Sequence, residues 1–198
     1  MKVCGIVGSP NKNGNVDLLV SQVLKGAASQ GAETRKLYLN DLNIKPCQSC
    51  GVDPNPKHCL FDDDMKEIYA LLEHCDAIVL GSPVYFDTVS AQTKLMIDRC
   101  NCLMPYVERP DGTSGFERRI KKRKKGVFIA VAGVDQEFDT IQTTVNGFFN
   151  WANIELTETI LYPNDSSELG GVKNNQELMN SVFEIGSRIA KTLLESLG

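Results

Sequence analysis

Along its 198 residues the chain alternates five apolar runs with five stretches of helical spacing. The apolar runs are "VCGIVG" from residue 3, "ETRKLYL" from 33, "DAIVLGSPVY" from 76, "GVFIAVAG" from 126 and "IELTETILYP" from 154. Between the first two, residues 16–30 carry Leu18, Leu19, Val23 and Leu24 at helical spacing, with Gly31 as a stop. "DDDMKEIYALLEHC" opens with carboxylates, which suit the positive end of a helix. Further helices are predicted over 90–104, 137–152 and 174–197. Strands this apolar are expected where helices cover both faces of a parallel sheet. The alternation therefore predicts a doubly wound α/β domain with right-handed crossovers, occupying residues 1–198 without internal repeat or linker.

In such sheets ligands bind beyond the carboxyl ends of the strands. The loop at the end of each strand is thus the informative part. After the first comes "GSPNKNGNVD", after the third "GSPVYFDTVS", and after the fourth "AGVDQEFD". The first loop joins Ser, Asn and Gly to a helix start, where unpaired amides and the helix dipole favour an anion such as phosphate. It equally reads as a plain turn with Asn15 or Asp17 as the cap. It is not Gly-x-Gly-x-x-Gly and lacks the Lys of a nucleoside-triphosphate loop. In the second loop Pro83, Tyr85 and Phe86 are bulky and rigid, a surface suited to a flat ring system. Their alternative role is to cover the sheet edge.

The charge balance, 21 basic against 25 acidic residues, gives a net charge of −4 and no field that would draw the chain to nucleic acid. No apolar run is long enough to span a bilayer, and "MKVCGIVGSP" is too short for a secretory signal, so a cytoplasmic location without membrane attachment is expected. Seven cysteines, an odd number, argue against a disulfide framework. Cys4, Cys75 and Cys100 read as small buried hydrophobes. The basic run "ERRIKKRKK", residues 117–125, reads as a solvated connector, with attraction of the 2′-phosphate of NADPH or of an acidic protein as the alternative. "RPDGTSGF" before it reads as a loop. Phe148, Phe149 and Trp151 cluster and suggest a subunit interface.

Together, "GSPNKNGNV", "GSPVYFDTVSAQTKLMIDR" and "AGVDQE" resemble the three flavin-binding loops of the NADPH-dependent FMN reductase family, and most of all its iron–sulfur flavoprotein branch. The resemblance spans nearly the whole chain and is strongest from residue 3 to about 100. The second run carries most of its specificity. It implies a flavodoxin-like, three-layer α/β/α fold around a five-stranded parallel sheet. It also implies that Ser9, Asn11, Asn13, Asn15 and Val16 surround an FMN phosphate. Pro83, Val84, Tyr85 and Phe86 would line the isoalloxazine ring, with Asp87 beside it, and Ala132 and Gly133 would approach from the fourth strand. Asn11 stands where a basic residue is frequent and Val16 where a hydroxyl is frequent. Each missing charge-assisted bond is worth roughly 1.5–3 kcal/mol, so weakened FMN affinity is expected. Asp87 stands where Gly is common and would lower the flavin potential.

The resemblance also gives meaning to the irregular cysteine loop at about 44–62, "PCQSCGVDPNPKHC" at its centre. In that branch four cysteines in a compact run bind a [4Fe–4S] cluster. Here Cys47 and Cys50 match the first pair, Asp53 fills the third slot and Cys59 matches the fourth. Four readings of the loop stand: no metal, a cluster held by these four residues, Zn with His58 or Asp53 as the last ligand, or a redox-active Cys47–Cys50 pair. The implied activity is FMN-dependent oxidoreduction, with NAD(P)H as co-substrate and a quinone, flavin or protein as electron acceptor. The alternatives are an FMN electron carrier without nicotinamide turnover, and an α/β domain that holds no flavin. A flavin-based reaction needs positioning more than an acid–base triad, which fits a chain with two His. The family resemblance further implies a homo-oligomer, dimer or tetramer.

Overall fold

In the first apolar run, odd and even positions bury themselves on opposite sides. Val3 and Val7 pack with one set of helices, Cys4 and Ile6 with another, as a strand covered on both faces requires. The computed structural model describes residues 1–51, 58–164 and 168–195. In chain order the elements are β1 (Lys2–Val7), α1 (Asn15–Ser29), β2 (Glu33–Tyr38), α2 (Met65–His74), β3 (Ala77–Tyr85), β4 (Thr88–Val89) and α3 (Ala91–Arg99). They continue with β5 (Tyr106–Glu108), β6 (Ser114–Phe116), β7 (Lys124–Ala132), α4 (Asp139–Trp151), β8 (Ile154–Pro163) and α5 (Gln176–Glu195). The main sheet runs β2-β1-β3-β7-β8, all parallel, with β4 pairing back onto β3. This is the expected five-stranded doubly wound sheet, and its order reverses between β1 and β3.

One face packs α1 and α5 through Leu19, Val20, Val23, Val182 and Ile189. The other packs α2, α3 and α4 through Ile68, Leu72, Met96, Val145 and Phe149. Glycines set the spacing of the first face. A Cβ on Gly5 would lie 2.7 Å from Val20, and one on Gly81 would lie 2.8 Å from Val16, so α1 rests directly on the sheet.

Three expectations are corrected. Cys4 and Cys75, read as packed free thiols, form a disulfide between β1 and the residue after α2. Residues 106–116, read in part as a loop, form the β5–β6 hairpin, with Tyr106 edge-on to Phe116 at 5.4 Å. Phe148 and Phe149 are buried in the core and are not free to form an interface. The basic run is the exposed connector expected before β7, and its side chains form surface ion pairs: Lys121 with Glu117, Lys122 with Asp76, and Arg123 and Lys125 with Glu155. Lys124 is buried at the start of β7.

Candidate functional site

A cleft of about 390 Å3 opens at the carboxyl ends of β1, β3 and β7, at the place where the strand order reverses. Ser9, Asn11, Asn15, Val16, Pro83, Val84, Tyr85, Ala132 and Gly133 line it, so nine of the twelve expected flavin-site residues meet in one place. Local bonds fix the first loop. The amide of Asn11 donates to Ser9 Oγ (3.2 Å), and the amide of Asn13 donates to Asp17 Oδ2 (2.8 Å). Gly14, the residue before α1, offers no side chain to cap the helix. The first-turn amides are therefore left for another acceptor. The Asp17 carboxylate at this helix start is paired with Lys36. Burial would raise its pKa, but Lys36 Nζ at 2.6 Å, the Asn13 amide and Tyr38 outweigh it and hold the carboxylate below its usual range.

Two of the expected phosphate neighbours are occupied elsewhere. The Asn15 side chain accepts the Val172 amide at 3.0 Å, and the Val16 side chain belongs to the core. Asn13, Phe86 and Asp87 stand outside the lining of the cleft. Asn13 takes a left-handed backbone (φ 62°) that turns the loop, close to Gly170, whose added Cβ would lie 2.5 Å from Asn13 O. Phe86 and Asp87, with φ of 51° and 59°, form the two-residue turn between β3 and β4, where both central positions need positive φ. Phe86 at its tip is 96% exposed. Asp87 Oδ1 accepts the Glu137 amide at 3.0 Å and so ties this turn to the loop after β7.

Buried hydroxyls hold the first and third strand ends together. Ser90 caps α3 by accepting the Thr93 amide, donates to Gly8 O at 2.6 Å and lies 2.9 Å from Thr93 Oγ1. Its amide donates to Ser82 Oγ. The Gly8 amide donates to Gly81 O at 2.7 Å, and a Cβ on Gly8 would fall 1.9 Å from Thr93 Oγ1. Sequence reasoning missed Gln136, whose Oε1 accepts the Gly133 amide at 2.8 Å, and the wall formed by Asn164, Glu168, Leu169 and Gly170. The last four come from a polar stretch after β8 with no periodic pattern to mark it.

A second cavity, of about 570 Å3, lies beside the cysteine loop. Cys47, Cys50 and Cys59 line it together with Cys102, His58, Arg99 and Trp151. Asp53, the remaining expected ligand, lies outside the described residues. Arg99 organises the wall. Its guanidinium makes a fork to the buried Asp63 carboxylate (2.6 and 3.1 Å), donates to Lys45 O (2.8 Å) and reaches Cys59 Sγ at 3.4 Å. Burial would raise the Asp63 pKa, but Arg99 and the Lys45 amide lower it. One arginine thereby fastens the entry and exit of the cysteine loop to the end of α3. His58 accepts or donates at Glu73 (2.7 Å) and its ring lies 4.8 Å from that of Tyr69.

The profile of the family described as NADPH-dependent FMN reductase matches residues 1–157. The chain belongs to this family. Among its relatives, an iron–sulfur flavoprotein of Archaeoglobus fulgidus is 31% identical over 96% of the chain and 80% of its own length. One from Methanosarcina thermophila is 28% identical over 100% of the chain and 95% of its own length. The expected kinship with the iron–sulfur flavoproteins is borne out. Among solved structures, a flavone reductase superposes with a TM-score of 0.72 at 21% identity, over 96% of this chain and 62% of that one. An archaeal flavodoxin superposes with a TM-score of 0.56 at 12% identity, over 97% and 98%. An FMN-dependent NADH-azoreductase from Bacillus anthracis in complex with FMN gives 0.68 at 13% identity, over 96% and 100%. These likenesses show the flavodoxin-like fold. Among the described residues no helix is long and apolar enough to cross a membrane. For this FMN reductase family member, the cleft fits the family's cofactor on its own features: an uncapped helix start at one end and the rigid Pro83–Tyr85 edge at the other.

Proposed function

We propose that the chain is an FMN-dependent oxidoreductase that takes reducing equivalents from NAD(P)H and passes them to a quinone, a flavin or a protein. The observation that carries this reading is the meeting of the first, third and fourth strand-end loops in one cleft at the reversal of strand order. Ser9 and the first-turn amides of α1 would hold the phosphate. Pro83, Val84 and Tyr85 would hold one side of the ring, with Ala132 and Gly133 approaching from β7. Bound FMN supplies hydride and electron chemistry, so the protein's part is binding and orientation. Tyr85, 43% exposed, stands at the border of the cleft and the solvent, where a nicotinamide or acceptor would arrive. Gln136 holds the Gly133 amide, and the Asp87–Glu137 bond keeps two of the loops in register.

The test is to load the protein with FMN, remove free flavin and add NADH or NADPH without oxygen. Bleaching of the bound flavin, then recovery on addition of a quinone, is the expected result. FMN that binds but is reduced by neither nicotinamide would make the protein an electron carrier instead. Absence of FMN binding would overturn the reading altogether.

A further inference from the structure

Cys102 belongs to no motif of the sequence, yet its side chain lines the same cavity as Cys47, Cys50 and Cys59. It lies in the 3-10 turn Cys100–Leu103 that continues α3. Arg99 connects it to the cysteine loop: the Arg99 guanidinium reaches Cys59 Sγ at 3.4 Å, and the Arg99 carbonyl accepts from Cys102 Sγ at 3.2 Å. The Tyr69 hydroxyl donates to that same carbonyl at 2.8 Å and lies 3.4 Å from Cys102 Sγ, which fixes the thiol on the wall. We propose that this cavity takes an iron–sulfur cluster whose four thiolates are Cys47, Cys50, Cys59 and Cys102, the fourth coming from the end of α3 and not from Asp53. The inference rests on the family membership and is independent of nicotinamide turnover.

Two observations support it. The first is the donor set. Cluster iron is held by thiolate, and four thiols around one cavity complete that set without a carboxylate. The second is the supply of hydrogen-bond donors. The Ser49 amide already lies 3.5 Å from Cys47 Sγ, in a stretch where Ser49 (φ 48°) and Gly51 (φ 65°) take left-handed backbone. Arg99 Nε, in the cavity wall, is buried with no hydrogen-bond partner among the described residues. A buried donor without a partner is costly, and an anionic cluster supplies the acceptor charge that it lacks.

The test is reconstitution with ferrous iron and sulfide in the absence of oxygen, with iron, acid-labile sulfide, the visible spectrum and FMN uptake measured on the same samples. Wild type and Asp53→Asn are expected to retain iron and sulfide alike. Cys102→Ala is expected to lose most of both while taking up FMN unchanged, which shows that it is folded. A measurement on the wild type avoids any folding defect: cluster loading should protect Cys102 from alkylation along with Cys47, Cys50 and Cys59, as read by peptide mass spectrometry. Loss of the cluster in Asp53→Asn with retention in Cys102→Ala would overturn the assignment. So would equal alkylation of Cys102 before and after loading, or wild-type protein that binds FMN and takes up zinc, or nothing, in place of iron and sulfide. Failure of FMN uptake in every sample would instead count against the flavin reading, and iron and sulfide would still decide this one.

Discussion

Burial and charge pull in opposite directions at Lys124. The residue is only 1% exposed, and its ammonium donates to Lys122 O at 2.8 Å. Burial, and after it repulsion from Lys122, lowers its pKa from 10.5 to about 8. Between those two pH values the unfolded chain holds a proton that the native protein has released, so stability should rise with pH across that window. Below about pH 8 the native state bears the full cost of a buried charge, on the order of 3 kcal/mol at 1.36 kcal/mol per unit. Lys124→Met keeps much of the volume and removes the charge. It should raise the urea midpoint near neutrality and flatten the rise seen in the wild type. Comparing the two proteins cancels the titration of the other lysines. Parallel pH profiles would mean that the Lys124 amine is solvated in the native state.

At the scale of elements, the tightest seam joins α1 to α5. A Cβ on Gly26 would stand 1.9 Å from Phe183 O, and one on Gly186 would stand 1.9 Å from Val23 O, so each helix uses a glycine to admit the backbone of the other. Gly186→Ala gains about 1 kcal/mol of helix propensity. It also drives a methyl into main chain that cannot rotate away, and overpacking costs about 1–3 kcal/mol, with backbone clashes at the upper end. The expected net loss is about 1–2 kcal/mol, or a fall of roughly 2–8 °C in Tm for a chain of this size. Gly147, in the middle of α4, is the control: an added Cβ there meets nothing within 4 Å among the described residues. Gly147→Ala should stabilise by up to about 1 kcal/mol. Calorimetric shifts of the same sign in both variants would show that the α1–α5 seam yields and that propensity alone decides.

For the molecule as a whole, the sheet was legible because β1, β3 and β7 bury both faces and so carry unbroken apolar runs. The β5–β6 hairpin was not, since its three-residue strands pair only with each other and stay largely exposed. The Cys4–Cys75 bond was hidden because cysteines in apolar runs look alike whether bonded or free. Cys102 joined the cysteine loop only through tertiary packing on Arg99, a relation that no local spacing encodes. The flavin cleft lies between these cases. Its strand-end loops were readable, but the wall at 168–170 was not, and the uses found for Asn15 and Val16 make Ser9 and backbone amides the proposed holders of the phosphate. That assignment has a measurable consequence. FMN that bridges loops after several strands binds the native state alone, and at a hundredfold excess over Kd it should add about 2.7 kcal/mol. For a chain of this length that corresponds to roughly 5–10 °C in Tm. Riboflavin carries the same ring without the phosphate. Each charge-assisted bond to phosphate is worth roughly 1.5–3 kcal/mol, so riboflavin at the same concentration should shift Tm far less. Equal shifts from FMN and riboflavin would place the phosphate in solvent and reduce residues 9–17 to a turn between β1 and α1.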